Sequence, residues 1–385
     1  MDFSWTPEHL ALRDSVRTVL AETLPADWDR IAREGPGSAE QTAFSREFCP
    51  KLAARGLLVP HWPVEFGGRG ASTWEHFIIG EELWAAGEPR GPQYMNVNWI
   101  GPTLMRYGSP AQQQEHLPRI AAGTVIWCQG FSEPNAGSDL ASLRTRAERV
   151  DGGYLINGSK IWTSYAAEAE YCFLLARTSA DRKGGIAIFL VPMNSPGIKV
   201  QQIPALIGEG DIHEVFFHDV FVAEPQRLGG EGQGWDIITH ALANERIGIP
   251  RYAFARRALD TAIGLLRDRG ELDSIAVKAR AGQALAAVEA ARMLVYGVVD
   301  QRAKRGADRG QGSLARWAVV SAERAVCEFV LDFVPDGLHE GAPPLLLAHH
   351  MRAIAAGLAS GAAEVQLDLI ARMFLELPRE RARAV

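Results

Sequence analysis

The period of hydrophobic and polar positions changes twice along the 385-residue chain. From residue 1 to about 122 the spacing is helical. Leu10, Val16, Val19 and Leu20 fall near one stripe of LALRDSVRTVLAETL. Thr6-Pro7-Glu8 ahead of it reads as a helix start, with Thr6 capping, Pro7 in the first position and Glu8 in the first turn. Pro25 to Ser38 is polar and punctuated by Gly and Pro, so a loop is expected there. AFSREFCPKLAARGLLVP predicts a second helix stopped by Gly56 and Pro60, PVEFGGRGAS a glycine-rich turn, and STWEHFIIGEELWAAG and PTLMRYG further helices.

From about 123 to 223 β-branched and aromatic runs take over: YLINGSKIWTS, YCFLLART, GIAIFLVP and HEVFFHDVFV. No helix-length pattern separates them, so antiparallel strands are expected rather than βαβ units. Asn157-Gly158 reads as a hairpin turn. From about 234 the helical period returns. WDIITHALANERIGI opens a long helix, which Pro250 should kink directly after Glu245 by removing an N–H and pressing on the carbonyl of Arg246. A strong amphipathic helix ends near Gly306, and Ser313 to Phe333 and Leu345 to Met373 predict two more. The expected fold is α+β. It has an all-α domain over 1–122, an antiparallel β-domain over 123–233, and a four-helix bundle over 234–385.

Composition narrows the class without naming it. A net charge of −6 argues against nucleic acid or an anionic membrane as the main partner. Cys49, Cys128, Cys172 and Cys327 are scattered, with no CxxC or His-rich spacing, which suggests reduced thiols, a cytoplasmic protein and no zinc site. The first residues lack the basic and apolar regions of a secretory leader, and no run approaches the ~20 apolar residues of a membrane span. His349-His350 is a tempting pair, but adjacent helix residues face different ways, so no metal site is expected.

Two stretches carry chemistry. FSEPNAGSD over Phe131–Asp139 crowds small and hydroxyl residues into a loop between apolar runs. Gly137 lets a flat or charged ligand approach the backbone, Ser132 and Ser138 bring hydroxyls, and Pro134-Asn135 fixes a turn that frees backbone N–H groups. Downstream, Trp162 offers a large aromatic face beside the hydroxyls of Thr163 and Ser164. A donor-rich loop and a Trp wall suit a planar electron-accepting ring such as a flavin. An ordinary Gly/Ser turn followed by a core Trp fits the same residues. No GxGxxG follows a strand, so a Rossmann flavin site is not expected. Tyr94, Met95, Val97 and Trp99 fit either the lining of an acyl pocket or a core.

EPNAGSDLASLRTRA followed by GGYLINGSKIWTS resembles the acyl-CoA dehydrogenase family, flavoenzymes that desaturate acyl-CoA thioesters. HWPVEFGGRGAS, YGSPAQQQEHLPRIAAG, EGQGW, ANER and EVQLDLIARMFLELPRE extend the likeness in order over nearly the whole chain. The resemblance implies an FAD-dependent oxidoreductase, with Phe131, Ser132, Gly137, Ser138, Trp162, Thr163 and Ser164 holding the flavin. It implies substrate contacts at Ser138 and Arg246, an acyl-CoA substrate, and an electron-transfer flavoprotein as acceptor. The chemistry needs a carboxylate for the α-proton, hydrogen bonds to the thioester carbonyl, and an oxidised flavin for the β-hydride. The family carries its glutamate at one of two positions. Ser360 occupies one of them and cannot serve, which leaves Glu245, with Glu364 a weaker candidate. Read without the resemblance, Glu245 fits equally a solvated helix carboxylate paired with Arg246 or Arg251.

Two segments depart from the pattern. LLRDRGELDSIAVK stands where homo-oligomeric members carry an Arg…Phe-Gly turn, and DFVPDGLHEGAPPLL where they carry a Gly-Gly-x-Gly loop. In those members both segments grip the pyrophosphate and adenine of a neighbouring subunit's flavin. The chain therefore resembles subunits of the heterotetrameric acyl-CoA dehydrogenases of bacterial steroid catabolism, which implies a related partner in an α2β2 assembly and a bulky steroid acyl-CoA. A homo-oligomeric dehydrogenase of short or branched acyl chains, a non-catalytic partner subunit, and a flavin oxidase or monooxygenase are the competing readings.

Overall fold

A computed structural model describes residues 5–33, 35, 37–206, 212–246, 250–305, 310–339, 341–358 and 361–378. The fold is α+β, helical at both ends with a sheet domain between them, as expected. By compactness the chain divides into two units. One comprises Met1–Thr18, Ser72–Gly87 and Arg246–Val385; the other comprises Val19–Ala71 and Glu88–Glu245.

Helix α1 runs Pro7–Thr23, and the Thr6 hydroxyl accepts the N–H of His9 at 3.3 Å, the cap read from the sequence. The stretch after it is not simply a loop. Helix α2, Trp28–Arg33, forms within it because Trp28 and Ile31 are one turn apart and bury together against Leu24 and Phe44. Helices α3 (Ala39–Ala54) and α4 (Thr73–Ala85) follow. Ser72 and Glu75 close a capping box on α4, each bonding the other's backbone N–H. Helices α5 (Gln93–Met95) and α6 (Gly101–Tyr107) are joined by a π-turn over Asn96–Ile100, and α7 spans Pro110–Ala121.

The sheet holds β1 (Trp127–Gly130), β2 (Arg146–Val150), β3 (Gly153–Ser164), β4 (Tyr171–Arg177), β5 (Ile186–Pro192), β6 (Ile198–Gln202), β7 (Ile212–Ala223) and β8 (Arg227–Leu228). Its order is β6-β7-β3-β2-β4-β5-β8, with β1 against β4. Most pairs are antiparallel. The exceptions are β1 beside β4 and the single Arg146–Arg177 pairing of β2 with β4, both parallel. The strand interiors of β4 and β5 are buried throughout, which explains why their sequences read as continuous apolar runs rather than alternations.

The hairpin turn lies elsewhere than expected. Val150 pairs with Gly153, so Asp151-Gly152 makes the turn between β2 and β3, with Gly152 at φ +74°. Asn157-Gly158 lies inside β3. There the Asn157 side chain exchanges two 2.9 Å hydrogen bonds with Asp219, a residue of the β7 bulge at φ +48°. An Asn-Gly pair thus serves a bulge as well as it would a turn, because Asn can bond the backbone that a bulge leaves free.

Helix α8 spans Gly234–Arg246 and α9 spans Tyr252–Asp268. Pro250 lies ahead of α9 and accepts the N–H of Ala253 at 2.9 Å, so it starts a separate helix instead of kinking one continuous helix. Helices α10 (Ile275–Ala303) and α11 (Gln311–Phe333) are the long bundle members. On α10 the buried residues Val277, Ala281, Ala284, Val288, Ala291, Val295 and Val298 repeat every three to four positions and face Leu259, Ala262, Val319, Val326 and Phe329 in one core. Each buried Val or Leu there contributes roughly 1.5–3 kcal/mol. Helix α10 is also the one described helix long and apolar enough to cross a membrane by length and composition. The expected final helix is broken in two. Helix α12 covers Pro344–Ala355 and α13 covers Ala363–Leu369, with Gly361 at φ +89° between them.

Candidate active site

The loop Phe131–Asp139 leaves β1 and folds back on itself. Glu133 and Ala136 exchange backbone hydrogen bonds of 2.9 and 3.0 Å around Pro134-Asn135, the turn those two residues specify. Phe131 is buried, its ring 6.1 Å from that of Phe173. Ser132 is half-buried, while Gly137, Ser138 and Asp139 face outward. No heavy atom lies within 4 Å of where a Cβ on Gly137 would stand. The fold itself therefore does not require glycine there, and the space beyond it is open. Asp139 ends the loop in an ion pair with Arg182 at 2.8 and 2.9 Å.

The second stretch lies directly beside the first. Ile161 donates its N–H to Ser132 O at 2.9 Å. Lys160, fully buried, donates its Nζ to Phe131 O at 3.1 Å and to Glu133 Oε1 at 2.7 Å. Glu133 also accepts the N–H groups of Arg144 at 2.6 Å and Thr145 at 2.9 Å. Burial pushes the Glu133 carboxyl up, but the Lys160 charge and these donors outweigh it and hold it below its ordinary value. Burial pushes the Lys160 amine down, and Glu133 only partly offsets this.

Just past Lys160 the register of β3 against β7 slips. Ile161 and Trp162 oppose the single residue Glu214, and Trp162 takes φ +59°. A bulky residue in the left-handed region is uncommon and costs of order 1–3 kcal/mol. The result is an indole 58 % exposed. Thr163 points the other way. It is fully buried, its carbonyl is 3.3 Å from His213 Nδ1, and its Oγ1 has no partner. Ser164 is half-buried at the end of the strand. The structure thus brings Phe131, Ser132, Gly137, Ser138, Trp162 and Ser164 to one region and turns the Thr163 side chain into the interior. Lys160 and Glu133 were not singled out in the sequence, although Lys160 falls in the same alternation as Tyr154 and Ile156, on the inward face of β3, where a charge needs a buried partner.

Glu245 and Arg246 are the last residues of α8; their side chains, and Ser360, lie outside the described residues. Glu364 is exposed in the first turn of α13. Met95, Val97 and Trp99 are buried, and the Trp99 indole donates to Gln129 at 2.8 Å, so these three are core; Tyr94 is half-buried. His349 is buried and His350 sits 3.1 Å from Cys327 Sγ. No cluster of metal-ligating residues occurs among the described residues. The two segments that break the family pattern meet each other. Arg269, after α9, holds Asp336 with two hydrogen bonds of 3.0 and 2.5 Å, and a pocket of about 240 Å³ beside them includes His339 and Pro343.

An open indole face, an open Gly137 and nearby hydroxyls fit the ring half of a flavin. Of the cations beside this loop, Lys160 is buried against Glu133, while Arg182 pairs with Asp139 at the exposed surface.

Residues 6–124, 128–220 and 232–375 match the N-terminal, middle and C-terminal domains of acyl-CoA dehydrogenase. Acyl-CoA dehydrogenase IpdE1 of Mycobacterium tuberculosis is 33% identical over 381 residues, which span 96% of this chain and 97% of that one. A solved Tcur3481-Tcur3483 steroid ACAD superposes with a TM-score of 0.90 at 29% identity, covering 99% of this chain and all of that one. The ChsE4-ChsE5 complex of Mycobacterium tuberculosis gives 0.87 at 29%, again over 99% of this chain and all of that one.

Proposed function

We propose, from the premise that the chain belongs to the acyl-CoA dehydrogenase family and is an oxidoreductase acting on a CH–CH bond of an acyl-CoA, that it is an FAD-dependent α,β-dehydrogenase of a bulky, steroid-type acyl-CoA, built to share its cofactor site with a related subunit. The observation that carries this reading is the pairing of an open ring cradle with committed cations. Trp162 and Gly137 are free to meet a flat ring, while Lys160 and Arg182 beside them are each held by an acid of this chain.

Family members are flavoproteins. Bound here, FAD would supply the acceptor for the β-hydride. The other tasks fall to this chain's residues. Trp162 and Phe131 would wall the ring, Ser132 and Ser164 would offer it hydroxyls, and Ser138 would contact the substrate. Glu245 takes the α-proton. A carboxylate desolvated by an acyl chain has its pKa raised toward neutrality, which suits it to a weak carbon acid. Arg246 orients the ligand or supports the helix end.

The steroid substrate and the unlike partner are supported by likeness to a two-subunit steroid ACAD and to the ChsE4-ChsE5 complex. An electron-transfer flavoprotein is the acceptor in this reading, and the cytoplasm its location. The test is flavin absorbance per chain, measured for this protein alone and co-purified with a related subunit that carries Arg…Phe-Gly and Gly-Gly-x-Gly. Flavin near one per unlike pair, and little in the lone chain, is expected. One flavin per lone chain would return the protein to the homo-oligomeric reading.

A further inference from the structure

Lys160 is a fully buried amine on β3 whose acceptors lie not on the sheet but on the loop beside it, at Phe131 O and Glu133 Oε1. Glu133 closes the same loop at its return by accepting the N–H groups of Arg144 and Thr145. One ion pair therefore joins β3, the outgoing loop and the returning chain. Two residues beyond Lys160, β3 breaks register and exposes Trp162 at φ +59°. A strained bulge keeps its shape only where its flanks are fixed. Here Lys160 fixes one flank, and the Thr163–His213 pairing fixes the other.

We propose that Lys160 is a positioning residue for the cofactor site: through Glu133 it sets the Ser132–Ser138 loop against the Trp162 face, so that the two walls of the ring cradle hold one geometry. This rests on the flavin reading above. A purely structural role makes a different prediction. A buried ion pair can be replaced by neutral groups of similar volume with little loss of stability, whereas removing one partner leaves an uncompensated charge. Stability and cradle geometry should therefore separate in a double variant. Lys160→Met alone strands the Glu133 carboxylate. Adding Glu133→Gln removes that charge without restoring the tether to Phe131 O.

The experiment compares parent, Lys160→Met, and Lys160→Met with Glu133→Gln, and includes Phe189→Leu as a sheet-core control of comparable melting loss. Tm and the Trp162 emission, taken as the difference from a Trp162→Phe background, are read on the chain alone. Flavin Kd and the visible flavin band are read on the complex with the partner. The expected result is that the double variant regains most of the Tm lost by Lys160→Met. It should still show altered Trp162 emission and quenching, a shifted flavin band and about tenfold weaker flavin binding, equivalent to ~1.4 kcal/mol. Phe189→Leu should lower Tm and leave the emission difference unchanged. If flavin binding and Trp162 emission recover in step with Tm, the positioning role is overturned. If the parent complex binds no flavin, the functional reading fails, and unchanged Trp162 emission in the double variant would overturn the coupling on its own terms.

Discussion

Tyr252 on α9 donates its hydroxyl to the Glu81 carboxylate on α4, and Glu81 also accepts from Tyr296 on α10 and from Arg13 on α1. Glu82 next to it takes Arg13 and Arg17. Trp5, Trp74 and Phe77 pack edge-on around the Tyr296 ring. Burial, reinforced by the Glu81 charge, pushes both tyrosine hydroxyls up, so they stay protonated donors. Glu81→Leu removes the acceptor of two tyrosines and half the compensation of a buried arginine. A loss of roughly 3–5 kcal/mol in urea unfolding is expected, against about 1–2 kcal/mol for Tyr252→Phe.

Acid should unfold the bundle through His349. Its Nε2 is buried without a partner, and burial, aided by the charges of Arg251 and Arg352, pushes it down to about 3. A histidine held neutral in the folded state contributes stability that is whole above about pH 6.5, its unfolded value, and is lost as pH falls toward 3. Between pH 6.5 and 5 this amounts to about 2 kcal/mol. His349→Leu should flatten that part of the pH–stability curve, as measured by denaturant midpoints at each pH.

Two glycines should separate folding from binding. A Cβ on Gly158 would stand 2.6 Å from Thr145 Oγ1 and 2.7 Å from Thr145 Cα, so Gly158→Ala should cost about 1–3 kcal/mol. Gly137→Ala points into open space and should leave stability within ~0.5 kcal/mol while weakening flavin binding. Calorimetry paired with flavin titration reads both.

Glu245→Gln, in the complex with the partner, should lower kcat by roughly 10²–10⁴ with flavin content unchanged, since only the proton acceptor is lost. Turnover near the parent's would move the base elsewhere, with Glu364 next to be tested.

Much of this was legible because local chemistry and tertiary packing agree. Thr6-Pro7-Glu8 starts a helix where caps dictate, and the α10 stripe buries where its period says. Reading failed where a local signal has two uses. Asn157-Gly158 suits a turn by composition, but its side chain serves Asp219 across a bulge. Pro25 to Ser38 looks polar, yet Trp28 and Ile31 are enough to nucleate a helix once Phe44 is beside them. In the site, the hydroxyls and Trp162 were visible as residue types, whereas the inward turn of Thr163 was not. A strand's alternation assigns faces only until a bulge shifts the count, and the bulge at Trp162 is set by β7 far along the chain.

The unit built from residues 1–18, 72–87 and 246–385 places a constraint on how the protein is made. Arg13 is synthesised early, but Tyr252 and Tyr296, which share Glu81 with it, follow more than two hundred residues later. At ~5–20 residues per second this is roughly 10–50 s during which Arg13, in the first part of α1, waits on the ribosome without the tyrosines that share its acid. The other unit, Val19–Ala71 with Glu88–Glu245, is complete by then and free to fold. The Glu81 network therefore closes only after the middle of the chain is made, so Glu81, made early, finds its last partners late.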